Sequence, residues 1–494
     1  MRDTRCFLCS TETDKVCQSC KMINFCTSNH LSTHRPDEDC LPYKIEYMEG
    51  VGRIVVAVRD IIAGEVVLTE TSLVSGPGCK TPPVCVECLA DWSGESVCCA
   101  CGWPVCGEKC GLGKRHQVEC NVLARCPLQD RPDFVKSKQL GNCPEFALIF
   151  PLRIALLAQN SEYKDRLSLL MDHKEDIGRH PNYENKWNKP VIEYLTKTFD
   201  SGVTKNDLLR GIGIFCTNAA YMGHRNGRWL LPTFTFLSHS CVCNSRFFIS
   251  PEGKVVVRAQ TPIKSGEEIT ISYFPTHQGN VLRRQTIQDL WFFTCTCRRC
   301  QDKTELGTFL SSVKCRKCKD EKEGFLLPEE VSNLQSGWEC GNCGILISHS
   351  TMLKLVHTLS TEVKNKDMDL HDVENLVVRY QNILHSQHFL INELKQKWVE
   401  LSASLDHNRV ILEKMIVYIY DISKINSCID TGLTITLGQN LKHLNTAMLS
   451  LAKMKITTGE ISKQEFMKIA VKAAANSKIA RECFENTDFT VQCS

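Results

Sequence analysis

The sequence predicts an α+β protein: a β-rich core interrupted by helices and small metal-binding modules, followed by an α-helical C-terminal domain. Three observations carry that expectation. Strand-like runs fall in two separate stretches, residues 43–76 and 231–274, with a mainly helical stretch between them. Thirty cysteines among 494 residues concentrate in pairs with two-residue spacers. From residue 349 onward the chain is cysteine-poor and amphipathic at helical spacing.

Composition excludes several classes. The 59 Lys and Arg against 56 Asp and Glu leave a net charge of +3, which gives no electrostatic drive toward nucleic acid or an anionic membrane. A hydrophobic fraction of 43% supports packed cores rather than disorder. No apolar run reaches the ~18–20 residues of a membrane span. Residues 1–20 lack an apolar stretch and already hold Cys6, Cys9, Cys17 and Cys20. No signal peptide is therefore expected, and the chain reads as intracellular, in the nucleus or cytoplasm. Thiols in a reducing compartment point to zinc rather than to disulfides.

Taken in order, residues 1–42 hold Cys6-x2-Cys9 and Cys17-x2-Cys20, followed by Cys26, His30, His34 and Cys40. A two-residue spacer lets two thiolates on one turn face the same ion, and tetrahedral zinc takes two more ligands from a distant segment. Residues 43–78 carry strand-like Ile54–Val58 and Val66–Thr69 around the turn Ala63-Gly64. Residues 79–122 repeat the first layout with Cys85-x2-Cys88, Cys98-x2-Cys101, Cys106, Cys110, His116 and Cys120. Cys99 is an alternative ligand by a slip of register.

Within residues 123–230, positions 145–225 read as helical, with apolar Phe146–Leu157, a polar loop-like break from Pro181 to Lys189, and helical spacing over Leu195–Tyr221. Residues 231–280 return to strands at Phe247–Ile249, Val255–Val257 and Ile269–Tyr273. Residues 281–304 read as a short helix ending in Cys295-x-Cys297-x2-Cys300. Residues 305–348 hold Cys315-x2-Cys318 and Cys340-x2-Cys343, a zinc ribbon. In residues 349–494, Val373, Leu376, Val377, Tyr380 and Leu384 share one helical face, and Leu390, Leu394, Trp398, Leu401 and Leu405 another. The pairs Arg283-Arg284 and Arg298-Arg299 read as solvated surface, with stiffening of a zinc loop as the alternative for the second pair. Cys79, Cys126, Cys143, Cys216, Cys243, Cys428, Cys483 and Cys493 lack ligand spacing and read as ordinary thiols.

The layout shared by the first two clusters resembles the MYND zinc finger, in which ligand pairs one and three hold one ion and pairs two and four the other. The resemblance implies Cys6, Cys9, Cys26 and His30 on one zinc, and Cys17, Cys20, His34 and Cys40 on the next. In the second finger it implies Cys85, Cys88, Cys106 and Cys110, then Cys98, Cys101, His116 and Cys120. His30 stands where that family usually has Cys, and His34 to Cys40 is longer than the usual His-x3-Cys.

Three further segments stand in a telling order. Gly50-Val51-Gly52 precedes a strand, Leu237-Ser238-His239-Ser240-Cys241-Val242-Cys243-Asn244 follows the helical stretch, and Gly266-Glu267-Glu268-Ile269-Thr270-Ile271-Ser272-Tyr273 comes next. Closed by the Cys295–Cys300 cluster, they resemble the SET domain of protein-lysine methyltransferases. A MYND finger inserted early into a SET domain resembles the SMYD subfamily. The extra N-terminal finger and the ribbon resemble its arthropod members.

That resemblance implies a fold: a SET core with an inserted finger and helices, a post-SET zinc site and a tetratricopeptide-like tail. It implies S-adenosylmethionine as cofactor, held by Gly50, Val51, Gly52, Asn218, Ser238, His239, Tyr273 and Phe293. Tyr273 would be catalytic, and Cys241 would join Cys295, Cys297 and Cys300 on zinc. With Cys315, Cys318, Cys340 and Cys343 the total is about six zinc ions at four ligands each.

The implied activity is methyl transfer to a lysine of a histone or non-histone protein, by a monomer. Proline-containing peptides would be partners of the MYND fingers, and neither a membrane nor nucleic acid is an expected partner. Two positions depart from the family pattern around the site: Ser238 stands for Asn and Trp291 for Tyr. Cys243 also stands for Pro. The alternative expectation is a weak or inactive SET-MYND adaptor.

Overall fold

The computed structural model describes residues 6, 11–18, 23–34, 40–78, 80–179, 183–198, 201–222, 227–250, 253–318, 323–364, 367–403, 405 and 408–484. Cys9, Cys20, Cys79 and Cys493 lie outside the described residues.

The β core is built from strands far apart in sequence. Val66–Glu70 pairs antiparallel with Val255–Ala259, which pairs in turn with Ser245–Ile249. Val74–Pro77 pairs with Gly227–Leu230, which also takes Ala220–Met222. Tyr43–Met48 and Gly52–Ala57 form a hairpin. Ala57 N–H donates to Glu267 and Ile269 N–H to Val55, which bring the hairpin to the segment leading into Tyr273. Ser238–His239 runs parallel to Thr270–Ile271. Residues 54–57 and 255–259 are buried at every position, so these strands are covered on both faces, and they are rich in Val and Ile.

Between the two halves of the core lie helices Ile149–Leu157, Ser161–Ser168, Lys174–Arg179 and Lys205–Asn218. Ile149–Leu157, apolar except for Arg153, is almost wholly buried and packs against Lys205–Asn218 and strand Val74–Pro77. The expectation for this region needs two corrections. The loop-like break ends early, because residues Glu184–Thr198 form one wide helix that admits Pro190. The helical stretch stops at Asn218, because Ala220–Met222 finds a better partner in Gly227–Leu230 than in its own helix.

The ribbon is a four-stranded antiparallel sheet in the order Val313–Lys314, Phe325–Pro328, Trp338–Cys340, Leu346–Ile347. The tail runs through helices His349–Val363, Leu370–Gln381, Phe389–Ser402, Arg409–Ile429, Ile435–Thr457 and Lys463–Phe484. Val373, Val377, Tyr380, Leu384, Leu390, Leu394 and Trp398 are buried as their spacing requires. Leu405 is exposed, because its helix has already ended at Ser402. Among the described residues no helix is long and apolar enough to cross a membrane.

Candidate active site and metal centres

The cysteine spacing resolves into compact groups of ligand atoms. Cys85, Cys88, Cys106 and Cys110 converge, as do Cys98, Cys101, His116 and Cys120, Cys241, Cys295, Cys297 and Cys300, and Cys315, Cys318, Cys340 and Cys343. Four sulfurs at about 2.3 Å around a tetrahedral ion stand about 3.8 Å apart. The observed Sγ–Sγ separations match: Cys88–Cys106 3.5 Å, Cys98–Cys120 3.6 Å, Cys241–Cys300 3.5 Å, Cys241–Cys295 3.9 Å and Cys318–Cys340 3.6 Å. A disulfide needs about 2.05 Å, and these cysteines are free thiols. In the first module Cys6, Cys26 and His30 form one group. Cys17 and Cys40 lie 4.0 Å apart, and His34 is buried. Cys99 is exposed and joins none of the groups named.

The backbone prepares some thiols for a metal. Burial raises the Cys98 thiol, but the amides of Cys101 and Ala100, with His116, bring it down to about 6. Cys340 is brought to about 7 by the Cys343 and Asn342 amides against the same penalty. In the ribbon, a Cβ on Gly324 would stand 2.7 Å from the sulfurs of Cys318 and Cys340, so only glycine fits over that cluster.

Charged residues that spacing does not reveal brace two of these groups. His116 Nδ1 lies 3.0 Å from Glu119, the outer-shell contact that fixes a ligand histidine's ring. Arg153, from helix Ile149–Leu157, closes on both oxygens of Glu119 at 2.6 and 2.7 Å and also donates to Ser75 and Val86 carbonyls. All three side chains are buried.

At the second group, Arg283 donates to the sulfur of Cys241 at 3.2 Å and to Glu305 at 2.7 Å. Arg299 reaches the same carboxylate at 2.9 Å. Burial would raise Glu305, but the two guanidinium groups and Ser311 hold it at about 2. Arg283, Arg284 and Arg299 are therefore not the solvated surface that the sequence implies; they are 0, 5 and 0% exposed. The thiolate cluster and Glu305 offset the cations at Arg283 and Arg299.

The Tyr273 hydroxyl donates to the Leu237 carbonyl at 2.9 Å, and its amide donates to His239 Nδ1 at 3.1 Å. His239 Nε2 lies 3.3 Å from Cys241 Sγ, so this one ring links the tyrosine to the cysteine cluster. Burial lowers His239 to about 4, leaving it neutral. Tyr273, Phe274 and Phe293 surround that ring at 5.2, 4.9 and 6.3 Å between centroids, and Trp291 sits 5.1 Å from Tyr273.

Two further residues set this geometry. Glu70 accepts from the Thr233 and Phe234 amides and so fixes the turn Phe234–Phe236 that delivers Leu237. Asn244 accepts from Thr270 N–H at 2.9 Å and donates to the Glu268 carbonyl at 2.8 Å, locking the two motif segments together.

Of the remaining predicted residues, Asn218 contacts segment 169–173, as does Arg53 next to Gly52. Arg53, beside Gly52, donates to the Leu169 carbonyl at 3.1 Å, and Asn218 to the Met171 carbonyl at 2.7 Å. His173 packs on Phe292 at 5.3 Å. Gly50 and Gly52 have φ of 77° and 102°, which the turn requires. Val51 is exposed. Among the described residues the half-buried Ser238 hydroxyl makes no hydrogen bond and is available to a ligand.

The chain resembles known proteins. Residues 52–274 match the SET domain family model. SET domain-containing protein SmydA-8, isoform A, of Drosophila melanogaster is 27% identical over 388 residues, covering 74% of this chain and 79% of that one. Histone-lysine N-methyltransferase ASHR1 of Arabidopsis thaliana is 27% identical, covering 63% and 65%. Histone-lysine N-methyltransferase SMYD3 of Homo sapiens is 30% identical, covering 52% and 59%. The SET domain of LSMT bound to lysine and AdoHcy aligns over 89% of this chain and 85% of that one at 12% identity, with a TM-score of 0.27. The chain is a SET-domain protein. Beyond that domain it is similar to SMYD-type proteins along most of its length, SmydA-8 of the fly among them.

Proposed function

We propose that the chain transfers a methyl group from S-adenosylmethionine to a lysine of a histone or non-histone protein. The observation that carries this reading is the Tyr273 hydroxyl, held on the Leu237 carbonyl within the aromatic group of His239, Phe274, Trp291 and Phe293. Bound S-adenosylmethionine supplies an electrophilic methyl on a sulfonium. Gly50, Val51, Gly52, Asn218, Ser238, His239 and Phe293 are the residues proposed to hold it. Gly50 and Gly52 offer bare backbone there, with nothing within 4 Å of either Cβ position.

The chemistry asked of the protein is orientation and charge stabilisation. Burial raises the Tyr273 phenol above its usual range, so it stays protonated and acts as a positioning dipole rather than a base. The phenol oxygen and nearby carbonyls favour a spreading positive charge, and a neutral lysine amine needs little more than alignment. The rings exclude water and tolerate an alkylated ammonium by cation–π attraction. Ser238, shorter than the family's Asn, forfeits about 1–3 kcal/mol of cofactor affinity.

We further infer that the Cys and His groups hold zinc, about six ions in all at four ligands each. Cys9, Cys20 and His34 complete the first module in this reading. The MYND-type fingers would take proline-containing peptides, and the protein would work as a monomer in the nucleus or cytoplasm. Calorimetric titration of S-adenosylmethionine into the zinc-loaded chain tests the central assignment. Saturable binding, weakened by Gly52→Val, is expected. Ser238 and Trp291 favour one rival, a zinc-binding adaptor, which predicts no binding at all.

A further inference from the structure

Helix Asn280–Trp291, the ribbon sheet and the start of helix His349–Val363 meet at a recess that methyl transfer does not use. Asn280, Arg284, Gln285, Ser336, Trp338 and His349 line it, and it is small and open to solvent at its mouth. Its lining contains no Asp or Glu. Arg284 is 5% exposed, yet among the described residues it makes no hydrogen bond and no ion pair. Its Nε is buried without an acceptor. Asn280 is 4% exposed, and its Nδ2 also lacks one. The adjacent Arg283 differs sharply, with donors on Cys241, Gln278 and Glu305.

Leaving the buried Nε of a guanidinium without an acceptor is costly. The thiols of Cys300 and Cys295 offset the Arg284 charge from a distance but accept none of its protons. His349, on the recess wall, is held below its ordinary pKa by burial and then by the Arg284 charge. Two buried donors, one of them cationic, thus face one recess with nothing to receive them.

We propose that this recess binds a small oxyanion, phosphate or carboxylate, through Arg284 and Asn280. The planar guanidinium fork matches the paired oxygens of either group. An anion there would tie the post-SET helix to the ribbon and the first tail helix. The inference stands apart from the methyl-transfer reading and can fail without it.

The test uses the full zinc-loaded chain, with sodium phosphate or sodium acetate titrated at constant ionic strength and followed by calorimetry and thermal melting. Saturable binding and a rising Tm are expected. Arg284→Gln should weaken binding at least tenfold with zinc content unchanged. Asn280→Asp, which sets a carboxylate beside Arg284, should abolish the response to added anion, and it carries the test if Arg284→Gln does not fold. A response to phosphate alone assigns a phosphoryl ligand, and one to acetate assigns a carboxylate. No response to either anion, or an undiminished response in both variants, would overturn the proposal.

Discussion

The two N-terminal cysteine-rich modules share a ligand layout but are built into the molecule differently. In the second, Val84, Cys85, Trp103 and Cys120 belong to the same hydrophobic core as the SET strands and helix Ile149–Leu157. Trp103 packs its ring against Phe134 and Phe146 at 4.9 and 6.0 Å. The His116–Glu119–Arg153 chain then ties the histidine of one Cys and His group to that helix and to Ser75. In the first, among the described residues, Cys6, Cys17 and Ile23 form a separate small core against which Val58, next to the SET hairpin, packs. One ligand pattern thus serves as a wall of the core in one place and as an appended unit in the other.

The sharpest way to break that contrast is Glu119→Ala. It strips a buried arginine of its carboxylate and a ligand histidine of its brace. The expected cost is about 3–5 kcal/mol of global stability in urea denaturation. Zinc affinity at the second module should also fall by about 10–100-fold. A loss confined to zinc content, with the core transition unchanged, would mean that the second module is as separable as the first.

Graded chelation comes next. Followed by native mass spectrometry and hydrogen exchange, loss of zinc from the first module should leave amide protection at Val55 and Leu152 intact. Loss from the second should remove it, because metal binding there is folding energy for the shared core. The smallest effect belongs to His30→Ala. It should lower the bound zinc by one ion and leave the core transition within about 0.5 kcal/mol of wild type. A larger shift would show that the first module is more deeply coupled than its contacts indicate.

How legible each part was follows from the range of the interactions that set it. The CxxC groups are local in spacing and convergent in space, so they could be read directly. Tyr273 was found through the order of three motifs, which survive because each is a few residues long. Arg283 and Arg299 could not be read: an Arg-Arg pair looks like surface until Glu305 and a thiolate cluster arrive from elsewhere. Glu70 and Glu119 are equally opaque, since their partners lie 163 and 34 residues away. The strand Ala220–Met222 carries helical spacing in the sequence, and its pairing partner, not its own composition, decides it. Segment 169–173 holds the Gly52 turn, Asn218 and Phe292 together through backbone carbonyls and one ring, which leave no mark in a sequence.

Methyl transfer by wild type and Tyr273→Phe, measured with S-adenosylmethionine labelled in the methyl group over a panel of lysine peptides and intact histones, tests the account most directly. Removing one positioned hydroxyl should cut transfer by about 10²–10³-fold, while S-adenosylmethionine binding and zinc content stay at wild-type levels. Equal transfer by the two proteins, or none by a wild type that binds neither cofactor nor lysine peptide, would contradict it.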